Sequence, residues 1–389
     1  MKIGGGCAEG FGAVADAFAR NFSTEGEIGA ACAVYHQGRQ VVDLWGGVAD
    51  TQSDKPWRQD TLCGFYSTGK PIAALGLLRC VDVGLIALDD VVASVWPEFA
   101  ANGKAAVTFR HLLTHQAGLP AIARRMPEGA MFDWSLIVNE LAAQAPWFVP
   151  GSRHVYHTNT FGYLVGEPLR RLTGLTPNQY VQREIAGAIG EQLYFGVPED
   201  ALERCATLYW ENGGGAPDPA ILDMEMTEEQ RMLRFATMNP TGFSSMGVMN
   251  TRQWRQAEVP STNGHGTARA VARIYSALAA GGEDREIRLL SNAMLGEATR
   301  IQSSGYCPNL DREVDFGLAL QLTRPERPFG PNPGAYGHFG TGGSVGFADP
   351  VTGIGFGYVM NQIKPRWQSP RNRNLIQAVY ASLALQAEE

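Results

Sequence analysis

Ser67-Thr68-Gly69-Lys70-Pro71 is the stretch on which the reading of this chain turns, because the pattern changes character there. Before it lies a strand hairpin. After it, residues 71–83 carry a helical spacing that Gly84 stops as a C′ glycine. Pro71 fits the first turn of that helix. A serine hydroxyl is a poor nucleophile until a base takes its proton. A lysine three residues on lies on the same helical face and can reach the serine oxygen. The free N–H groups at a helix start also stabilise developing negative charge. No other serine in the chain has a lysine three positions later. Taken alone, the tetrad reads equally well as a helix N-cap serine beside a solvated lysine.

Working outward toward the N-terminus, Phe11, Val14, Phe18 and Phe22 space an amphipathic helix over residues 9–22. A hairpin follows, with strands at 30–35 and 40–45 about His36-Gln37-Gly38-Arg39, the second ended by Gly46-Gly47. Toward the C-terminus, residues 316–322, 344–348 and 354–361 are extended candidates, and Asp349-Pro350-Val351-Thr352-Gly353 turns between the last two. A helix near 374–385 sets Leu375, Ile376, Val379 and Leu383 on one stripe. Between these ends, residues 108–114, 134–143 and 160–172 read as helices, and 207–262 is weakly patterned and rich in Gly, Pro and Met. Strands at both ends with helices between predict an α+β fold. Its antiparallel sheet, flanked by helices, is built from residues 1–66 and 263–389. A mostly helical domain, 67–262, is inserted, and the active site falls in the cleft between the two.

Two more stretches carry chemistry. Residues 150–160 place Tyr156 just before a helix. A tyrosine hydroxyl, with a pKa of about 10, is not a base at pH 7. One ammonium at about 4 Å, at an effective dielectric of about 20, contributes about 4 kcal/mol, enough to bring it down by about three units. Lys70 is the expected source. The plainer reading is a core tyrosine that docks a helix start. His338-Phe339-Gly340-Thr341-Gly342-Gly343-Ser344 enters a strand with glycine enough for close backbone approach. It would wall a cleft and offer a backbone N–H, or it is simply a tight turn with an incidental histidine.

Together these stretches resemble the serine β-lactamase and penicillin-recognising superfamily, which carries S-x-x-K, a tyrosine motif and a K-T-G-type strand. The likeness is strongest to the class C β-lactamase-related esterases, the family VIII carboxylesterases. Residues 109–119, 161–167 and 340–350 support it, and it runs from about residue 10 to about residue 385. The resemblance implies a β-lactamase/transpeptidase-like fold, with Ser67 as nucleophile and Lys70 and Tyr156 sharing the general-base and general-acid work. It implies an oxyanion hole made by the backbone N–H groups of Ser67 and Thr341, and substrate contacts at His338, Gly340 and Asn159. No cofactor or metal is implied. Two departures tilt the reading from β-lactams toward neutral esters. His338 stands where the lactamases have the lysine of K-T-G, and Tyr156-His157-Thr158 puts Asn159 one position later than Tyr-x-Asn would.

The bulk numbers narrow the alternatives. With 44% hydrophobic and 18% charged residues the chain is globular. A net charge of -7 gives no support for nucleic-acid binding. No apolar run is long enough to span a bilayer. Cys7, Cys32, Cys63, Cys80, Cys205 and Cys307 are scattered, and the N-terminus lacks an apolar leader core, so a cytoplasmic protein with reduced thiols is expected. Gly342-Gly343-Ser344-Val345-Gly346 matches G-x-S-x-G, but that elbow needs a strand–turn–helix context, so Ser344 reads as structural. His111 and His115 have zincin spacing without the required glutamate, and His154 and His157 are too few for a metal site. The expected activity is cleavage of small or short-chain carboxylic esters through an acyl-enzyme on Ser67. The alternatives are an amide-bond hydrolase and, more remotely, a non-catalytic scaffold. Oligomeric state is left open.

Overall fold

The computed structural model describes residues 2–211, 213–284, 287–364 and 368–386. Its main sheet uses strands from both ends of the chain: β1 (Ile3–Cys7), β2 (Gly29–His36), β3 (Arg39–Asp50), β4 (Ser303–Cys307), β5 (Arg312–Phe316), β6 (Gln321–Leu322), β7 (Tyr336–Phe339), β8 (Val345–Asp349) and β9 (Ile354–Met360). Every pairing is antiparallel, in the order β1-β3-β2-β9-β8-β7-β6-β5-β4, and Lys55–Pro56 adds a short strand on β3. The longer helices are α1 (Gly12–Thr24), α2 (Lys70–Asp82), α3 (Trp134–Ala143), α4 (Phe161–Thr173), α5 (Glu228–Met238), α6 (Ala268–Ala279) and α7 (Pro370–Gln386). The α+β class expected from the sequence is the class observed.

The β9 sequence shows why helices cover both faces. Side chains alternate along a strand, and Ile354-Gly355-Phe356-Gly357-Tyr358 alternates glycine with bulk. The glycine face receives α6. A Cβ at Gly355 would sit 2.2 Å from Ser276 N, and one at Gly357 2.3 Å from Ala268 O. The other face carries an aromatic stack, with Phe347 and Phe356 centroids 5.1 Å apart and Phe329 and Phe339 4.5 Å apart. There α1 and α7 pack together, and Tyr380 of α7 donates to Asp349 Oδ2 at 2.6 Å. His338 pairs with Gly346, whose Cβ would strike Tyr275 of α6, so the imidazole lies on the α6 face.

On that same side, α2 is buried from Lys70 through Leu78 and packs on α4. Gly76 makes the close approach possible, since a Cβ there would lie 2.7 Å from Leu169. The helix stops as expected, with Gly84 at φ +75° and its N–H on Val81 O.

Three expectations need correction. The second hairpin strand does not end at Gly46-Gly47 but runs on to Asp50, and Gly46 pairs with Ile3. β1 was not expected at all, because Gly4-Gly5-Gly6 has no strand-like side chains. Its glycines are explained by Trp45, whose indole lies where a Gly4 Cβ would be, 2.5 Å from Nε1. Residues 316–322 are not one strand. Phe316 pairs with Gln321, and the chain reverses between them through Ala319 at φ +62°. The hairpin turn itself falls where the sequence put it, at His36-Gln37-Gly38-Arg39, with Gln37 and Gly38 both at positive φ as a type I′ turn requires.

Candidate active site

Ser67 sits in the one-turn 3₁₀ segment Tyr66–Gly69 that leads into α2. The turn is sharp: Tyr66 is at φ +50°, and Thr68 N–H bonds back to Phe65 O at 3.2 Å. Strain of this kind persists only where the surroundings over-determine it. Here Ser245 Oγ lies 3.0 Å from the Tyr66 hydroxyl, and Ser344 Oγ donates to Phe65 O at 2.8 Å and lies 3.2 Å from Thr68 Oγ1. Ser344 is fully buried. The serine of the G-x-S-x-G match therefore fastens the Ser67 turn and is itself buried.

Lys70 Nζ is 3.0 Å from Ser67 Oγ and 2.9 Å from Ser261 O, and it lies over the Tyr156 ring, 4.8 Å from the centroid. The lysine is 1% exposed. Burial pushes its pKa well below the ordinary lysine value. Tyr156 moves the other way: burial raises its hydroxyl, and a hydrogen bond with Ser67 opposes the rise. This reverses the expected electrostatics. Burial works against the ammonium that was expected to acidify Tyr156. It favours an amine facing a protonated phenol, an arrangement that can pass a proton from Ser67 to Lys70 and keep Tyr156 as a donor.

Tyr156 is held by elements far away in sequence. Its ring stacks on Phe316 of β5 with planes 9° apart. Its N–H donates to Asn309 Oδ1 at 3.0 Å, and Asn309 Nδ2 donates back to Tyr156 O. His338 Nε2 is 3.4 Å from the Tyr156 hydroxyl, while Nδ1 contacts Phe339 O at 2.6 Å. A carbonyl only accepts, so Nδ1 carries the proton. Burial pushes the His338 pKa down to about 3 and keeps the ring neutral.

Thr341 is partly exposed, in the turn between β7 and β8. Gly340 N–H donates to Ser344 O at 2.8 Å and Gly343 N–H to Gly340 O at 3.1 Å. Gly340, expected to touch substrate, is buried where the Ser67 turn closes on it. A Cβ there would lie 2.2 Å from Ser344 Oγ and 2.5 Å from Phe65 O. Asn159, also expected at the substrate, lies behind the site. It is fully buried, and its amide donates to Ala236 O and Ser244 Oγ at 2.9 Å and accepts from Thr262 Oγ1 at 2.9 Å. His338 is likewise fully buried and turned to Tyr156.

Ser261 and Asn309 were missed. Ser261 acts through its carbonyl, which any residue has, and Asn309 follows no local pattern. Only the fold brings them in. The histidines serve the backbone: His111 Nδ1 accepts from Thr108 N–H, His115 Nδ1 from His157 N–H, and His157 Nε2 from Leu119 N–H. Among the described residues no group of three or more His, Cys, Asp or Glu side chains is placed to hold a metal ion.

Comparison with known proteins shows the family. The Beta-lactamase family model matches residues 15–381. The chain is 34% identical over 371 residues to the esterase/beta-lactamase LipL of Mycobacterium tuberculosis, covering 93% of this chain and 83% of that protein. It superposes on a solved family VIII carboxylesterase with a TM-score of 0.89 and 38% identity, covering 98% of this chain and 100% of the other. A penicillin-binding protein homologue from Caulobacter crescentus gives 0.87 and 38% over 98% and 100%. The chain belongs to the Beta-lactamase family and stands within it beside the family VIII carboxylesterases.

Proposed function

We propose that this protein is a serine carboxylesterase that cleaves small carboxylic esters through an acyl-enzyme on Ser67. The observation that carries the reading is the convergence of Ser67, Lys70 and Tyr156, with the lysine nitrogen 3.0 Å from the serine oxygen and its pKa pushed down by burial. Ser67 Oγ attacks the ester carbonyl while its proton passes to Lys70 Nζ. The oxyanion forms against the backbone N–H groups of Ser67 and Thr341. Collapse expels the alkoxide, which takes a proton from the Tyr156 hydroxyl as Lys70 returns one to Tyr156. Water then repeats the sequence on the acyl-enzyme and frees Ser67.

The preference for esters rests on His338. A lysine in its place would attract a substrate carboxylate, whereas an imidazole with a pKa near 3 is uncharged at neutral pH. A neutral ester loses nothing by that change. The likeness to a solved family VIII carboxylesterase supports the same choice. The helical segment 67–262, inserted between the two parts of the sheet, supplies Ser67, Lys70, Tyr156 and Ser261, and we treat it as one domain. Six free thiols, five of them buried, support a reducing compartment such as the cytoplasm. No helix of the described residues is long and apolar enough to cross a membrane.

Turnover of an ester compared with its matching amide, together with labelling by a fluorophosphonate, tests the proposal. The expected result is ester turnover well above amide turnover and a label on Ser67. Amide turnover equal to or faster than ester turnover would make the protein an amide-bond hydrolase. Absence of any label would favour a non-catalytic scaffold.

A further inference from the structure

We propose that Arg371 and Asn372, in the first turn of α7, are positioning residues that hold the β7–β8 turn so that the Thr341 N–H meets the oxyanion. The inference rests on the acyl-enzyme reading above and extends it to the far side of the sheet. Thr341 is followed by Gly342 at φ +88° and Gly343 at φ +112°. Glycine makes that path possible, but it is also the residue with least intrinsic rigidity. An N–H that must be in place before charge develops needs its turn fixed from outside.

The fixing groups come from α7. Arg371 Nη2 donates to Gly342 O at 2.9 Å and to Gln362 O at 2.9 Å, while Nη1 bonds Glu27 Oε1 at 2.8 Å. Asn372 Nδ2 donates to Gly343 O at 2.9 Å. Consecutive residues of one helix thus hold consecutive carbonyls of the turn. Both residues are fully buried, so neither meets substrate. Glu27 also accepts from the Tyr358 hydroxyl, which ties the guanidinium to β9 and to the end of α1. The turn has no slack on that side: a Cβ at Gly342 would lie 2.8 Å from Met360 Cε, and one at Gly343 3.0 Å from Ser369 Oγ. On the opposite side Ser344 joins the same turn to Phe65. The oxyanion turn is therefore clamped from both faces, by the nucleophile turn and by the C-terminal helix.

A charged donor shared by two carbonyls and a carboxylate is strong and directional. Lysine at 371 would keep the charge beside Glu27 but could not hold all three acceptors. Displacing a catalytic donor by about 1 Å costs on the order of 100-fold in rate.

The test uses Arg371→Lys and Asn372→Ser in the full chain, each confirmed as folded by its thermal transition. The readouts are kcat and KM on p-nitrophenyl butyrate and inhibition by an alkylboronic acid, whose tetrahedral adduct mimics the oxyanion. The expected result is a kcat lowered by about 10- to 100-fold. KM should stay within about threefold and the boronate inhibition constant should rise in step with the loss of kcat. Wild-type kcat and boronate affinity in folded Asn372→Ser would overturn the proposal, even if Arg371→Lys did not fold. A change confined to KM would also overturn it. Ser67→Ala, run in parallel, separates the two levels: ester turnover surviving there would refute the acyl-enzyme reading instead.

Discussion

Lys70 Nζ and Ser67 Oγ stand 3.0 Å apart in a site where both side chains are buried, and desolvation alone drives the lysine toward its neutral form. A neutral amine has a lone pair to offer and an ammonium has none, so burial suits this lysine to the base's part in the proposed mechanism. Lys70→Arg keeps length and donors but cannot be deprotonated. It is expected to lower kcat by about 100- to 10,000-fold. Retention of more than about a tenth of wild-type kcat in steady-state ester hydrolysis would show that the amine is not the base.

The same pair sets the pH dependence. In the proposed mechanism Lys70 works deprotonated, so kcat/KM should fall as pH drops through its depressed pKa, on a limb lying well below the ordinary lysine value of 10.5. Tyr156 works protonated and its pKa is raised above 10.0, so it adds no descending limb below that pH. A pH–rate profile of kcat/KM between pH 5 and 10 checks both statements. A decline that begins near neutral pH and continues upward would contradict them.

Ser344→Ala separates fastening from chemistry. The substitution removes the bonds to Phe65 O and Thr68 Oγ1 and leaves Phe65 O with the Thr68 N–H alone, which costs about 0.5–1.5 kcal/mol of stability. Activity should stay within about tenfold of wild type, whereas Ser67→Ala should lose about 1,000-fold or more. Urea unfolding and ester assays on both variants decide it. Equal loss of activity in the two would return Ser344 to the list of nucleophiles.

Buried histidines make the fold acid-sensitive. His157 and His338 are pushed down to about 3 and His265 to about 4, all by burial first. Their folded values lie below the unfolded value of 6.5, so the unfolded chain takes up protons that the folded one refuses. The stability they allow is fully present above about pH 6.5 and is lost as pH falls toward the folded values, at up to about 1.4 kcal/mol per pH unit for each ring. Urea midpoints from pH 8 to 5 should decline below 6.5, and His265→Gln should flatten the slope. A level midpoint over that range would mean that these rings are not held neutral.

The parts of this molecule that could be read from its sequence are those written in local spacing. Ser67 and Lys70 lie on successive turns of one segment, Tyr156 stands before a helix, and Asp349–Gly353 joins two extended runs. Each is a short-range pattern, and each lies where the spacing put it. What was not legible depends on distant contact. Gly4-Gly5-Gly6 becomes a strand only because Trp45 lies across it. Residues 316–322 read as one strand until the pairing of Phe316 with Gln321 bends them. Asn159 and Gly340 were expected at the substrate on the family resemblance alone. Burial turns one toward Ser244 and Thr262 and closes the other against Phe65. The direction of the Tyr156 shift was misread for the same reason: a charge was assumed on Lys70 before its burial was known.

The central claim is that Ser67 carries the acyl group of a small ester. Hydrolysis of p-nitrophenyl acetate, butyrate and octanoate beside the cephalosporin nitrocefin, by wild type and Ser67→Ala, tests it most directly. The account predicts rapid cleavage of the short esters, little nitrocefin turnover and loss of both in Ser67→Ala. Ester cleavage that survives the substitution, or nitrocefin turnover matching that of the esters, would contradict it.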